Sequence, residues 1–436
     1  MSDELGKLVD ETAKRFEQAP SFEAFVASSH HRSDIHPGVG HLDHPAAALL
    51  DELRLQGANT SYESPPWTAD EIQAALDRGP HKSSIDETEF VCQEFAEYIQ
   101  KGFWTVLPAS LAKQVSGLRL APLGCVPQVG RRPRLICDYT FWGVNQDSDE
   151  HAPDSMQFGQ ALLRIIQRVV YANPEFGPVY LAKIDISDGY YGMPLHWEAC
   201  SGLAVLLPVT GKDGEPLVAI PLVLPMGWTK SPPFFCAATE TIADLANTAL
   251  QQDMKLSEHP LEEYTIGQDA PSDKWQPLPE EHSARRAWAE ALQQFVDVYL
   301  DDLLGLTQGS PEQRLRVGRA ILHSLDAVFR PIDAEDSSYR QTPASIKKLE
   351  KGDGRFLTRK EVLGWIIDTV RGTLELTARR HARLVTILDQ FPRTRDRVSV
   401  KEWYKVLGEL RSMQVALPGS GGLFGPLQAV LQPKQT

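Results

Sequence analysis

Cysteine is scarce in this chain and carries no pattern. The five residues, Cys92, Cys125, Cys137, Cys200 and Cys236, are odd in number, far apart and never in a CxxC spacing. That excludes a disulfide framework and a thiolate zinc centre, and leaves buried free thiols as the reading. A long apolar run is missing too. The longest, around 217–226, is broken by Pro221 and Pro225, whereas a helix crossing a bilayer needs about 20 apolar residues. The opening stretch MSDELGKLVDETAKRFE has no apolar segment of the secretory kind. The expected location is therefore intracellular, in cytoplasm or nucleus, with no membrane contact. Positive charge is also in deficit: 44 Lys+Arg against 58 Asp+Glu give a formal net charge of −14. Taken alone, that speaks against a nucleic-acid partner.

What is present is ordinary globular material: 42% hydrophobic and 23% charged residues over 436 positions, enough for about two to four domains. The charge is uneven. Residues 1–100 hold 7 Lys+Arg against 19 Asp+Glu, whereas residues 340–436 hold 18 against 9. A basic C-terminal quarter is thus attached to an acidic body.

Periodicity supplies the elements. Residues 1–17 read as a polar helix. Residues 28–45 read as a loop with His30, His31, His36, His41 and His44, whose spacing fits no zinc pattern. Residues 86–102 form an amphipathic helix. LRLAPLGCVPQ and PRLICDYT flank the turn Val129-Gly130-Arg131-Arg132-Pro133 as a hairpin. A helix is expected over 157–171 and strands at 179–186, LAVLLPV and PLVAIPLVLP. A helix over 230–250 has proline at its entry, where the missing N–H costs nothing. A polar insertion at 251–294 precedes strand and turn at 295–306, a helix over 312–329, a Lys-rich stretch at 347–360, and the strand pair EVLGWIIDT and TLELT. Two helices close the chain. The first turns Leu384, Ile387 and Leu388 inward. The second opens on the capping pattern Ser399-Val400-Lys401-Glu402, aligns Val400, Trp403, Leu407 and Leu410, and stops at Pro418-Gly419. The class is α+β.

Two acidic sites stand on apolar strands: Ile184-Asp185-Ile186-Ser187-Asp188 and Tyr299-Leu300-Asp301-Asp302. A carboxylate in an apolar run is costly unless a cation or hydrogen bonds compensate it. Carboxylates from two distant segments can share Mg²⁺, which takes carboxylate oxygens together with water and phosphate. Such a pair of ions serves in-line phosphoryl displacement. An Asp-Asp pair alone is as well read as a turn or helix cap.

The ordered set is far more specific: RRPRLICDYTFWGVN (131–145), LAKIDISDGYYGMPL (181–195), LPMGWTKSPPFF (224–235), VYLDDLL (298–304) and VLGWIIDT (362–369). Over about residues 85–425 this resembles the reverse transcriptase, or RNA-directed DNA polymerase, of retroelements. The later stretches are most similar to DIRS-like (tyrosine-recombinase) and related LTR-type retrotransposon polymerases.

The resemblance implies a right-hand polymerase with an antiparallel-sheet palm and a helical thumb. It divides the chain into an acidic extension (1–85), fingers (86–145), palm (146–375, with the 251–294 insertion) and thumb (376–436). It implies Asp185 and Asp301 as ligands of two Mg²⁺ ions, with Mn²⁺ as a substitute. Asp302 supports them as a ligand or as a nearby charge, and the Ile186 carbonyl completes one site. Tyr190 stands where the family places the gate against a ribose 2′-hydroxyl; a core aromatic beside Tyr191 is the alternative. Arg134 grips the incoming triphosphate, a task that suits a guanidinium. Gln128 replaces a lysine common in relatives, so Arg131 or Arg132 is the candidate for the missing charge, and Asp138 orders the hairpin base. Met226 and Gly227 receive the nucleotide. Lys347 or Lys348 (Lys348 taken for the nucleotide site, Lys351 a rival) protonates departing pyrophosphate, with a solvated basic loop as the equal alternative. Leu363, Gly364 and Trp365 hold the primer terminus, unless Trp365 packs on the palm.

The implied partners are an RNA template, a DNA or RNA primer and dNTPs, with RNase H and recombinase or integrase domains on other chains or missing. The competing readings are a catalytically inactive, retroelement-derived nucleic-acid-binding protein and, more weakly, an RNA-dependent RNA polymerase.

Overall fold

The computed structural model describes residues 2–29, 33–128, 130–149, 156, 158–267, 289–392, 394–395, 397–416 and 419–431. Among these, eleven strands form three sheets. The first has the order β1-β6-β5-β2-β3, with β1 at Trp104–Pro108, β2 at Leu120–Gln128, β3 at Arg131–Cys137, β5 at Ala204–Thr210 and β6 at Pro216–Pro221. The second has the order β4-β8-β7, with β4 at Tyr180–Asp185, β7 at Gln294–Tyr299 and β8 at Asp302–Thr307, all antiparallel. The third has the order β11-β10-β9, with β9 at Arg359–Val362, β10 at Trp365–Asp368 and β11 at Thr373–Leu376. The fold is α+β, as expected.

The β4-β8-β7 sheet positions the site, and its two faces are told apart by period-2 alternation. Ala182 and Ile184 of β4 and Leu303 of β8 join the main core. That core includes the helices Ser231–Gln251 and Pro311–Val328. The first helix carries two prolines in its first turn and buries Phe235, Ala238, Ile242 and Ala246 at helical spacing. On the opposite face, Leu181, Leu304 and Leu306 pack with Ile165, Val179, Val362 and Ile367 in a second core. The β9–β11 sheet therefore sits on that face.

The N-terminal residues belong to the same main core: Leu5, Val9, Phe25, Val26, Ile35, Val39, Leu50 and Leu53 are all buried in it. A strap ties them down. Ile35 bridges to Phe329, the Arg330 N–H donates to the Asp34 carbonyl at 2.8 Å, and the Arg340 guanidinium meets the Asp34 carboxylate at 2.6 Å. The histidine-rich loop is a set of turns. His36 and His44 each accept, at Nδ1, a backbone N–H two residues on, from Gly38 at 2.9 Å and Ala46 at 3.1 Å. His30 and His31 lie outside the described residues, as do Val129 of the hairpin turn and 268–288 of the insertion.

All five cysteines are buried and free. No helix among the described residues is long and apolar enough to cross a membrane.

The C-terminal helices depart from expectation. Ala378–Gln390 buries Ile387, but Leu388 is 62% exposed. Val400–Ser412 buries Val406 and Leu407, and Val400 is 64% exposed. The reason is what each helix packs on: the first lies on β11 and the second on the short helix Phe424–Ala429, whose Leu427 carbonyl accepts from Trp403 Nε1 at 2.9 Å, while Arg383 and Glu409 form an ion pair between them. The second helix ends at Ser412, short of Gly419; Pro418 lies outside the described residues. Strand β9 and a short helix, Phe424–Ala429, add to the expected elements.

Candidate active site

Strand register brings the two acidic sites together. Asp185, the last residue of β4, lies directly opposite Asp302, the first of β8. Such residues share a face, with Cβ atoms about 4.5–5.5 Å apart. Lys183 shares that face by alternation. Farther down, Leu181, Leu304 and Leu306 are covered by the β9–β11 sheet, so the polar residues form the open end of the face. The β7–β8 connection is the two-residue turn Leu300-Asp301, with Leu300 at φ +56°. The Ile186 N–H donates to the Asp301 carbonyl at 2.9 Å and locks the turn to β4.

Asp185 is 1% exposed. Ammonium groups meet its oxygens: Lys183 Nζ at 3.0 Å and Lys348 Nζ in close contact. Neither oxygen accepts a hydrogen bond of good geometry. Lys183 also reaches Asp302 at 3.4 Å and Asp353 at 3.5 Å. Burial, then the neighbouring Asp302 charge, pushes the Asp301 carboxyl up; Lys183 and Arg134 oppose the shift. Burial likewise raises Asp302 against the pull of Lys183.

Lys348 and Asp353 arrive by a path that the sequence does not announce. Residues 343–357 run along the free edge of β4. Ser187 N–H donates to Pro343 O, Ser345 N–H to Asp185 O, Lys183 N–H to Asp353 O, and Leu181 and Leu357 exchange both bonds. An otherwise open strand edge is covered, as edges usually are. The helix Ile346–Glu350 in this segment carries Lys348 to Asp185; Lys347, Lys348 and Lys351 are all exposed to solvent. Lys183 and Asp353 are the residues missed from sequence. The Lys-x-Asp spacing on a strand was the only local signal.

The nucleotide-side residues gather beside this centre. The Tyr190 ring packs edge-on against Phe235 at 5.1 Å. Its hydroxyl is pushed up to about 12, mainly by burial, with Asp301 and Arg134 within electrostatic reach. Tyr191 instead packs on Tyr98 and Phe103. Arg134 is exposed on β3, with Nη2 at 3.6 Å from Met226 Sδ. Beneath them lies a cavity of about 240 Å³ lined by Gln128, Arg134, Tyr191, Met226 and aromatic residues of the helix Thr88–Gln100. Arg132 turns away to Glu94 at 2.9 Å. Asp138 binds His81 at 3.0 Å and accepts from the Phe141 N–H.

Gly227 has φ +104°, and a Cβ there would stand 2.3 Å from the Cys137 carbonyl oxygen, so only glycine fits. Asn145 staples this loop, donating to Gly227 O at 3.0 Å and accepting from the Thr229 N–H at 2.9 Å.

Leu363, Gly364 and Trp365 belong to the β9–β11 sheet, and Leu363 packs on the face that carries Leu181 and Leu304. Leu363 and Gly364 form the β9–β10 turn. Trp365 is 1% exposed beneath the Arg380 guanidinium, 5.2 Å from the ring centroid. The indole is packed in the protein, which is the alternative given for it, and the Leu363-Gly364 turn is half-buried against Arg380.

The donor set suits a hard divalent cation. Among the described residues no three His, Cys, Asp or Glu are arranged as a cage. Mg²⁺ does not require one, since it typically takes one or two carboxylates plus water and substrate phosphate. The buried Asp185 oxygens, met only by lysine ammonium groups, and the Asp302 carboxylate on the paired strand end fit that description.

No family model and no curated protein matches the chain. Solved structures of a foamy viral protease-reverse transcriptase are similar to it. One, the dRH form in complex with double-stranded DNA, is 15% identical with a TM-score of 0.46, covering 94% of this chain and 55% of that chain. Another, in complex with double-stranded DNA, is 14% identical with a TM-score of 0.43, covering 94% and 65%. The chain thus spans less than two thirds of the length of these proteins.

Proposed function

We propose that the chain is an RNA-directed DNA polymerase of the retroelement type, in a DIRS-like or LTR-type lineage, built as fingers, palm and thumb. The observation that carries the reading is the pairing of Asp185 with Asp302, with Asp301 on the joining turn. Arg134 and Tyr190 lie within electrostatic reach of Asp301.

Each residue then has a task. Arg134, exposed at the rim, holds the triphosphate of a dNTP through fixed guanidinium donors. Tyr190, braced by Phe235, closes the space that a 2′-hydroxyl would need. Met226 and Gly227 offer an apolar side chain and a bare backbone to the nucleotide. Lys348, next to Asp185, gives a proton to the departing pyrophosphate. Asp185, Asp301, Asp302 and the Ile186 carbonyl would hold two Mg²⁺ or Mn²⁺ ions, which activate the primer 3′-hydroxyl and neutralise charge on the triphosphate. The basic residues after 340 contact template and primer phosphates, in a salt-dependent way.

One observation favours a second reading. Lysine ammonium groups already occupy the carboxylate cluster, as they would in a non-catalytic, nucleic-acid-binding descendant of such an enzyme. Extension of a primer on an RNA template with Mg²⁺ decides. Incorporation of dNTPs in preference to rNTPs is expected. Duplex binding without extension establishes the second reading, and rNTP preference overturns the assigned role of Tyr190.

A further inference from the structure

Lys183 touches three acidic side chains of the site at once: Asp185 at 3.0 Å, Asp302 at 3.4 Å and Asp353 at 3.5 Å. Its side chain is 19% exposed, between a fully buried Asp185 and an Asp353 that is 36% exposed at the rim. The rim is fixed in place, because the Lys183 N–H donates to the Asp353 carbonyl at 3.0 Å. Carboxylates brought this close in a water-poor strand end repel one another unless a cation stays with them. A lysine ammonium on a flexible stem can supply that charge and still move.

We propose that Lys183 is a built-in counter-ion. Together with Lys348, which meets the other Asp185 oxygen, it holds the carboxylate cluster together in the metal-free protein, then yields its Asp185 oxygen and Asp302 to an arriving divalent cation by swinging to Asp353. Lys183 is thus a positioning residue that competes with the metal for the same oxygens. Asp353 is where the displaced ammonium rests. The inference rests on reading the cluster as a divalent-cation site.

The test is a Mn²⁺ titration of the full chain at low salt, followed by the electron paramagnetic resonance signal of free Mn²⁺, with thermal melting in parallel. Lys183→Met keeps the length of the side chain and removes its charge. The variant should bind Mn²⁺ about tenfold tighter or more. Its metal-free melting temperature should fall, and saturating Mn²⁺ should restore it. Asp353→Asn should weaken Mn²⁺ binding in the wild-type background and have a much smaller effect beside Lys183→Met, because the two residues act through each other. Unchanged or weaker binding by Lys183→Met overturns the proposal, as does an equal effect of Asp353→Asn in both backgrounds.

If the methionine variant does not fold, Lys183→Arg decides. A guanidinium fork grips carboxylates more firmly, so Mn²⁺ binding should weaken, and equal or tighter binding overturns the proposal. Asp185→Asn run alongside separates the two levels. Mn²⁺ binding that depends on Asp185 but ignores Lys183 removes only this inference. Absence of any Asp185-dependent binding in wild type and Lys183→Met removes the divalent-cation reading as well.

Discussion

Two hairpins of the molecule turn in nearly the same way and end in opposite situations. Between β7 and β8 the turn is Leu300-Asp301, closed by the pair Tyr299 and Asp302. Between β9 and β10 it is Leu363-Gly364, closed by Val362 and Trp365. Each places a leucine in the left-handed region, at φ +56° and φ +50°. They part at the second position. Gly364 continues at φ +79°, as the tight turn with two positive φ values favours. Asp301 does not, so the first turn follows the pattern with one positive φ. The first tip presents the Asp301 carboxylate next to Asp302, the strand partner of Asp185, and the second is covered by Arg380, whose Nη1 donates to the Leu363 carbonyl at 3.3 Å. Backbone strain is common to both, and only the side chain at the second position and what faces it make one a candidate chemical centre.

Substitution at the first tip should have the largest effect. Asp301→Asn is expected to lower single-turnover dNTP incorporation by roughly 10³-fold or more, with the melting temperature nearly unchanged. A mild kinetic loss would mean that the turn carries no chemistry.

Gly364→Ala breaks the second tip by contrast. A Cβ there would meet Arg380 Cδ at 2.8 Å in a left-handed backbone. Urea unfolding should show a loss of about 1–3 kcal/mol, while the incorporation rate at saturating primer changes little. A kinetic loss as large as that of Asp301→Asn would erase the distinction between the two tips.

The second hairpin has its own pH signature. Lys360 of β9 is buried, with Nζ donating to the Gly352 and Arg355 carbonyls at 3.0 and 3.1 Å. Burial lowers it to about 8, and Asp353 only partly opposes this. A free lysine titrates near ~10.4. Between those values the unfolded chain holds a proton that the folded chain has released, so stability should rise with pH across that window. Relative to Lys360→Met, the wild-type urea midpoint should climb from pH 8 to pH 10. Parallel curves would place the titration elsewhere.

The smallest effect is expected from Leu300→Gly, set beside Leu363→Gly. Each relieves a left-handed strain of about 1–2 kcal/mol but adds unfolded-state freedom. Leu363 also packs against the second core, so Leu363→Gly should be net destabilising while Leu300→Gly changes stability by less than about 1 kcal/mol. Equal gains at both turns would mean that the Leu363 packing contributes nothing.

The local chemistry of the first hairpin was legible in sequence. A carboxylate ending an apolar strand and an Asp-Asp pair after another are written in consecutive residues and single out Asp185, Asp301 and Asp302, whereas Arg134 and Tyr190 were marked only by the family resemblance. Their gathering, and the arrival of Lys348, required strand register. Lys183 and Asp353 were not legible, because they meet only when residues 343–357 bond to the edge of β4 across a long separation in sequence. Trp365 was placed in a strand correctly, but its burial depends on Arg380 from the following helix. Leu388 and Val400 were set inward by periodicity alone, whereas the faces that are buried are those against β11 and the helix Phe424–Ala429, which periodicity does not reveal.

The most direct test is primer extension on an RNA template by the wild-type chain and by Asp185→Asn, with dNTPs and Mg²⁺, under single-turnover conditions. The expected result is extension by the wild type and none by the variant, with both proteins folded and both binding the duplex. Extension by Asp185→Asn at the wild-type rate, or by neither protein, would contradict the assignment of the paired carboxylates as the centre of nucleotidyl transfer.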